Sequence, residues 1–302
     1  MKKLVDYISN GVLLLLGVVS RNINMKYRTQ LGIATGNVLR LLSKERAGIT
    51  FENIRISLPT LGAETHLKIC KESYQNLGIT LVELLAFPEI LKKDIEKYIK
   101  FNNFDLIMEA YNRGKGLIFL SGHFGNWELT ALAVGLYTKI PVTVVVKPQS
   151  NKISDKYLNE FRSLGGNKML PMSKAARTII QTIKQKGAIA LLVDQSADWQ
   201  KDVFVDFFGR PAATYEAPAV IALKYRCPLI VGFAHRQEDN SYLVRVEEID
   251  YSDLDDSKES IIELTKRHVK ILEDNIRLNP GHWAWQHKRW KHDPPGTQNA
   301  NS

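Results

Sequence analysis

From residue 117 onward, short apolar runs alternate with segments of helical period, and this alternation constrains the fold more than anything else in the chain. The runs are 117–120, 142–146, 168–170, 188–193, 229–234 and 242–246, and segments 127–134, 154–164, 175–185 and 215–225 lie between them. Strands this apolar need cover on both faces, and helical segments between successive strands supply it. Glu238-Asp239-Asn240 is a turn sequence, so the last two strands are expected to form a hairpin and make the sheet mixed. The expectation is an α/β protein with a mixed, mostly parallel sheet flanked by helices. A helix over 258–278 ends at Asn279-Pro280-Gly281. At 302 residues the chain is long enough for one large core, or at most two domains.

Before residue 117 the periodicity is helical over 32–42 and 66–85, with shorter helices expected over 94–98 and 103–111. The first residues are more apolar, with an unbroken run over 12–19 that spans only about 12 Å as helix, against a bilayer core of about 30 Å. Lys2, Lys3, Arg21, Lys26 and Arg28 flank this region and suit an anionic lipid surface. We therefore expect an N-terminal hydrophobic membrane-anchor helix over 1–28, inserted or lying in the interface. The main domain is expected over 29–293, and a disordered tail over 294–302.

The first strand-to-helix junction reads Ser121-Gly122-His123-Phe124-Gly125-Asn126-Trp127-Glu128. Loops beyond the carboxyl ends of strands are where α/β proteins place their chemistry. On a continuous helix His123 and Glu128 would point about 140° apart. They meet only if His123 lies on the loop and Glu128 in the following first helical turn. A carboxylate bonded to one imidazole nitrogen fixes the tautomer and leaves the other nitrogen free to take a proton. Such a pair deprotonates an incoming hydroxyl without any protein nucleophile.

Other stretches carry chemistry less directly. Lys147 ends the second strand run, and a cation there could meet a phosphate. Asp194-Gln195 ends another run, where an aspartate serves either a site or a turn. Phe207-Phe208-Gly209-Arg210 places rings beside an arginine, as an anionic amphiphile would need, and Thr214 is a good N-cap for the next helix. Trp283, Trp285 and Trp290 lie among His287, Lys288, Arg289 and Lys291, a composition common at membrane interfaces. His282, His287 and His292 recur every five residues, the wrong spacing for a helical zinc pair, so no metal site is expected.

Charge narrows the partners. The net +9, from 41 Lys+Arg against 32 Asp+Glu, favours anionic ones. Two cysteines, Cys70 and Cys227, make neither a disulfide framework nor a metal clip and are expected to be buried.

Together these blocks resemble the bacterial lipid A biosynthesis acyltransferases, the lauroyl/myristoyl branch of the lysophospholipid acyltransferase superfamily. The resemblance runs from the apolar N-terminus through Ser121 to Glu128, Lys147-Pro148, Asp194-Gln195 and 207–214 to Trp283 through Lys291. It departs where the family commonly has an arginine pair and this chain reads Lys288-Arg289, and in the shortness of the apolar N-terminal run. It implies a glycerol-3-phosphate acyltransferase-like fold at the cytoplasmic face of the inner membrane, using no cofactor. The implied reaction moves a fatty acyl group from acyl carrier protein to a hydroxyl of a phosphorylated lipid A precursor, in lipopolysaccharide biosynthesis. His123 and Glu128 match the family's H-x-x-x-x-[D/E] motif one for one and become the expected catalytic pair. Asn126, or a nearby backbone N–H, is the expected oxyanion donor. Lys147 and Arg210 are expected phosphate contacts, and Asp194, Gln195, Gly209, Thr214 and Arg289 are expected around the substrate.

Three other readings compete. Another lipid acceptor, or acyl-CoA as donor, would use the same residues. A serine hydrolase would use Ser121 or Ser196 with His123, but no G-x-S-x-G elbow is present. A nucleic-acid binder would explain the charge, yet no nucleic-acid module is recognisable.

Overall fold

The alternation of runs becomes one seven-stranded sheet in the computed structural model, which describes residues 2–93 and 95–295. Its strands are β1 (Ile99–Phe101), β2 (Leu117–Ser121), β3 (Val142–Val146), β4 (Lys168–Pro171), β5 (Ala188–Leu192), β8 (Leu229–Arg236) and β9 (Tyr242–Glu248). The order across the sheet is β1-β9-β8-β2-β5-β3-β4. From β8 to β4 all neighbours are parallel, whereas β9 pairs antiparallel with β8 and carries β1 parallel to itself. The expected hairpin and mixed sheet are both present. A separate antiparallel hairpin, β6 (Val203–Phe207) and β7 (Arg210–Thr214), was not foreseen, and neither was β1.

Strand alternation divides the core in two. Ile118 and Leu120 of β2, with Leu229 and Val231 of β8, pack on α9 (Ala175–Lys184), α10 (Ala217–Tyr225) and α11 (Lys258–Leu278). Leu117 and Ile230 face the other side, toward α6 (Asp105–Asn112), α7 (Trp127–Thr138) and α8 (Lys152–Arg162). The chain leaves β2 through α7 for β3 and β4, then returns to insert β5 between β2 and β3. Strand order reverses around β2, and the crevice outside such a reversal is where open α/β sheets bind ligands.

Helices α1 (Lys2–Asn22), α2 (Met25–Leu42), α3 (Lys44–Ser57), α4 (Ala63–Leu84) and α5 (Phe87–Leu91) precede the sheet. Glycines bring α2 and α4 into backbone contact: a Cβ on Gly36 would lie 2.2 Å from the Tyr74 carbonyl oxygen, and one on Gly78 would lie 2.3 Å from that of Gly32. Any larger residue there would force the helices apart.

Of the two modes expected for the N-terminal anchor, insertion is not supported: among the described residues no helix is long and apolar enough to cross a membrane. Helix α1 instead lies on the domain. Leu13 and Leu16 pack on the core, and the Asn10 side-chain oxygen accepts hydrogen bonds from Asn151 (2.9 Å) and Ser154 (2.7 Å). Its outer side leaves Tyr7, Ile8, Val12, Leu15 and Val18 bare. The physical reason is that Asp6, Ser9 and Asn10 interrupt the apolar residues of this helix, and Asn10 contacts the start of α8.

The C-terminal tryptophans also depart from expectation. Trp283 and Trp285 are fully buried and pack with Phe207 and Phe208, so these rings are core and not an interfacial belt. Cys70 and Cys227 are buried and free. Of the expected tail, residues 296–302 lie outside the described residues, as does Asp94 in the expected helix over 94–98.

Candidate active site

Beyond Ser121 the chain turns through Gly122-His123-Phe124-Gly125 into α7. Gly125 has φ +57°, and a Cβ there would fall 1.7 Å from the Ala234 carbonyl oxygen, so only glycine fits. The C-terminal segment fastens the loop. Gly125 N–H donates to the His282 carbonyl (2.9 Å), and Ala284 N–H donates to the His123 carbonyl (2.9 Å). Asn76 and Thr80 of α4 donate to the Gly125 carbonyl at 2.9 and 3.0 Å.

The carboxylate that holds the imidazole is Asp194. His123 Nδ1 lies 2.8 Å from Asp194 Oδ1, while Oδ2 accepts the His123 backbone N–H (2.9 Å) and Trp283 Nε1–H (2.8 Å). Register explains the meeting. In the parallel β2/β5 pair Ser121 stands beside Leu192, so two residues further on His123 stands beside Asp194. Burial opposes the charge on Asp194, but His123 and the N–H donors outweigh it and hold the carboxyl down at about 2. Burial likewise disfavours imidazolium at His123, yet Asp194, with Glu128 behind it, raises the ring above its ordinary 6.5. Among the described residues Nε2 has no partner, and the ring, 25% exposed, lines a cavity.

Glu128 does sit in the first turn of α7, as expected, but it makes no hydrogen bond to His123. Its two oxygens are gripped by Arg162, at the end of α8, with Nη2–Oε1 at 2.6 Å and Nε–Oε2 at 2.9 Å. Both side chains line the cavity, where their opposite charges act on His123 in opposite directions. Sequence reasoning missed Arg162, because nothing local separates it from the lysines of the same helix. Asp194 was noted as a strand-end carboxylate, and the β2/β5 pairing is what gives it its partner.

The remaining expected residues divide. Lys147 and Gln195 line the cavity, although β5 lies between the strands that carry His123 and Lys147. Asn126 does not: it is fully buried, its oxygen caps α7 at Leu129 N–H (2.9 Å) and its amide donates to Glu83 (2.6 Å). Both ends of that side chain are engaged inside the protein, which removes it as an oxyanion donor. Gly209 (φ +72°) makes the β6–β7 turn, and Arg210 stacks 5.4 Å from the Trp290 ring, away from the cavity. Thr214 ends β7 instead of capping α10, whose N-cap is Glu216. It receives Arg289 Nη2–H at 2.6 Å. Arg289 is 1% exposed and ties that hairpin to the C-terminal segment; burial lowers it to about 10 despite Asp194 nearby.

The cavity measures about 780 Å³, within the range of small-molecule sites. It runs from the carboxyl ends of β2, β5 and β3 beneath α7, along Val144, Ala190, Phe119 and Ile230, to Phe101 and Ile107. Apart from the Glu128–Arg162 pair its inner walls are mostly apolar, and exposed Lys147, Gln149, Asp198 and Lys291 stand at its rim. An imidazole with one fixed and one free nitrogen, at the head of an apolar tunnel with a basic rim, can deprotonate a hydroxyl beside a long aliphatic chain.

A family model for the bacterial lipid A biosynthesis acyltransferases matches residues 1–292. The chain belongs to this family. As a family acyltransferase it is 24% identical over 269 residues to a lipid A biosynthesis palmitoleoyltransferase of Escherichia coli K12, covering 88% of this chain and 85% of the relative. It is 23% identical over 270 residues to the lipid A biosynthesis lauroyltransferase of the same organism, covering 88% and 86%. A phosphatidylinositol mannoside acyltransferase of Mycolicibacterium smegmatis is 20% identical over 258 residues, covering 84% and 77%.

Proposed function

We propose that this acyltransferase moves a fatty acyl group from the thioester of acyl carrier protein to a hydroxyl of a phosphorylated lipid A precursor, at the cytoplasmic face of the inner membrane. The single observation that carries the reading is His123, fixed at Nδ1 by Asp194, with Nε2 open to an apolar cavity of about 780 Å³. Nε2 takes the acceptor's hydroxyl proton as the oxygen attacks the thioester carbonyl. The new C–O bond forms, the C–S bond breaks, and the imidazolium returns the proton to the leaving thiolate. Asp194 stabilises the imidazolium, and the Glu128–Arg162 pair shapes the wall beside it. Lys147 and Lys291 at the rim suit a phosphorylated acceptor and an acidic carrier. The bare apolar side of α1 supports seating on a lipid surface without crossing it.

Neither candidate serine is engaged as a hydrolase nucleophile would be. Ser121 Oγ–H donates to the Gly232 carbonyl (2.7 Å), and Ser196 Oγ is not bonded to His123. The test is transfer by protein in detergent, offering acyl carrier protein and CoA thioesters to a panel of lipid A precursors, lysophospholipids and other glycolipids. Acylation of the lipid A precursor from the carrier thioester is expected. Transfer only to another lipid, or only from CoA, would overturn the corresponding part.

A further inference from the structure

A hydroxyl attacking a thioester puts negative charge on the former carbonyl oxygen, and a donor must face it. The loop that carries His123 has little to offer. Its amides at His123, Phe124 and Gly125 donate to Asp194, to the Gly122 carbonyl (2.7 Å) and to the His282 carbonyl. The Asn126 side chain is engaged elsewhere. On the neighbouring strand, beyond the end of β5, Val193 N–H donates to the Ser121 carbonyl (3.2 Å) and Ala197 N–H to that of Ala213 (3.1 Å).

Ser196 brings a side-chain donor to the same cavity. It is 6% exposed, lines the same cavity two residues beyond Asp194, and its Oγ has no hydrogen-bond partner. A buried hydroxyl left unpaired is costly, and a turn of the Ser196 side chain toward the cavity would let a ligand oxygen partner it. Its backbone is clamped, because Ser196 N–H donates to His287 Nε2 (3.1 Å), and His287 feels the charges of both Asp194 and His123. Gln195 is more exposed and can keep its water.

Building on the proposed acyl transfer, the structure assigns Ser196 as a catalytic residue: its Oγ–H donates to the oxyanion of the tetrahedral intermediate, with His287 positioning it. When the acceptor oxygen bonds to the carbonyl carbon, the C=O electron pair moves onto oxygen and meets this hydroxyl. When the C–S bond breaks, the pair returns and the thiolate leaves with the proton held by His123. No bond forms to Ser196.

The experiment compares Ser196→Ala, Ser196→Thr and Ser196→Cys with the unaltered protein, in detergent, using a carrier-linked thioester and a lipid A precursor. Ser196→Ala is expected to lower kcat about a hundredfold, with both KM values held within about threefold and the acidic limb of the pH profile unmoved. Ser196→Thr, which keeps the hydroxyl, is expected to recover much of that rate; Ser196→Cys, a weak donor of similar size, is not. A Ser196→Ala kcat within about threefold of wild type, or a loss confined to KM, would overturn the assignment. Intact-protein mass after donor alone should show no acyl adduct, and an adduct on Ser196 would overturn it too. If the unaltered protein transfers nothing, the acyl-transfer reading fails first; the assignment of Ser196 falls separately when wild type is active and the alanine variant matches it.

Discussion

Replacing Asp194 with asparagine tests the centre of the mechanism with almost no change of shape. Oδ2 receives two donors, His123 N–H and Trp283 Nε1–H, whereas Oδ1 meets one ring nitrogen. An asparagine oxygen therefore belongs on the two-donor side, since the reverse orientation sets the amide NH₂ against both and forfeits two hydrogen bonds, each worth about 1 kcal/mol. That leaves NH₂ facing Nδ1, which must become the acceptor. The ring proton moves to Nε2, the atom that has to take a proton from the acceptor. A wrong tautomer of this kind lowers turnover about 10⁴-fold, or about 5.4 kcal/mol of barrier. Acyl transfer from a carrier thioester, followed by mass spectrometry of the lipid, measures it, with thermal unfolding as a check on folding. Turnover within about tenfold of wild type in a folded Asp194→Asn protein would refute the reasoning.

His123 must be neutral to act and its pKa is raised, so activity should fall with acid along a limb lying above pH 6.5. Glu128→Gln should shift that limb to lower pH and Arg162→Met to higher pH, because the two charges act oppositely on the ring; each should also cost about 3 kcal/mol in unfolding titrations by breaking a mostly buried pair. Gly232→Leu should shift preference toward shorter acyl donors: Gly232 lines the tunnel, and a Cβ there meets Val244 at an ordinary 3.5 Å, so the longer side chain fills space without forcing the strand. Competition among donors of graded length reads this out, and an unchanged preference counts against the tunnel as the acyl site. His268 is buried with neither ring nitrogen partnered and held down at about 3. The unfolded chain takes up its proton first, so the stability that depends on neutral His268 is complete above pH 6.5 and is lost as pH falls toward 3. His268→Leu should remove up to about 1.4 kcal/mol per pH unit of that slope in denaturant titrations at graded pH.

The parts legible in the sequence were those with strong local patterns. The strands at 117, 142, 188, 229 and 242 announced themselves by short apolar runs, and the 258–278 helix by its period and its Asn-Pro-Gly stop. The loop histidine followed from glycines beside a strand end. What could not be read was pairing across the sheet. Asp194 reaches His123 only because β5 inserts beside β2, and no spacing along the chain states that. Glu128, five residues away, was the nearest carboxylate in sequence, but its oxygens belong to Arg162 from another helix. Tryptophans and cations near the C-terminus have the composition of a membrane belt and of a packed core alike; only burial separates them, and here Trp283, Trp285 and Arg289 are interior.

The loop bearing the imidazole is fastened by residues 282–284, about 160 positions downstream. During synthesis the earlier strands emerge first, yet the loop gains these fastenings only after residues 282–284 have left the ribosome. A stop codon just before Trp283 would spare most of the sheet and erase the enzyme. Catalytic geometry thus depends on a segment made long after the strand and loop it secures.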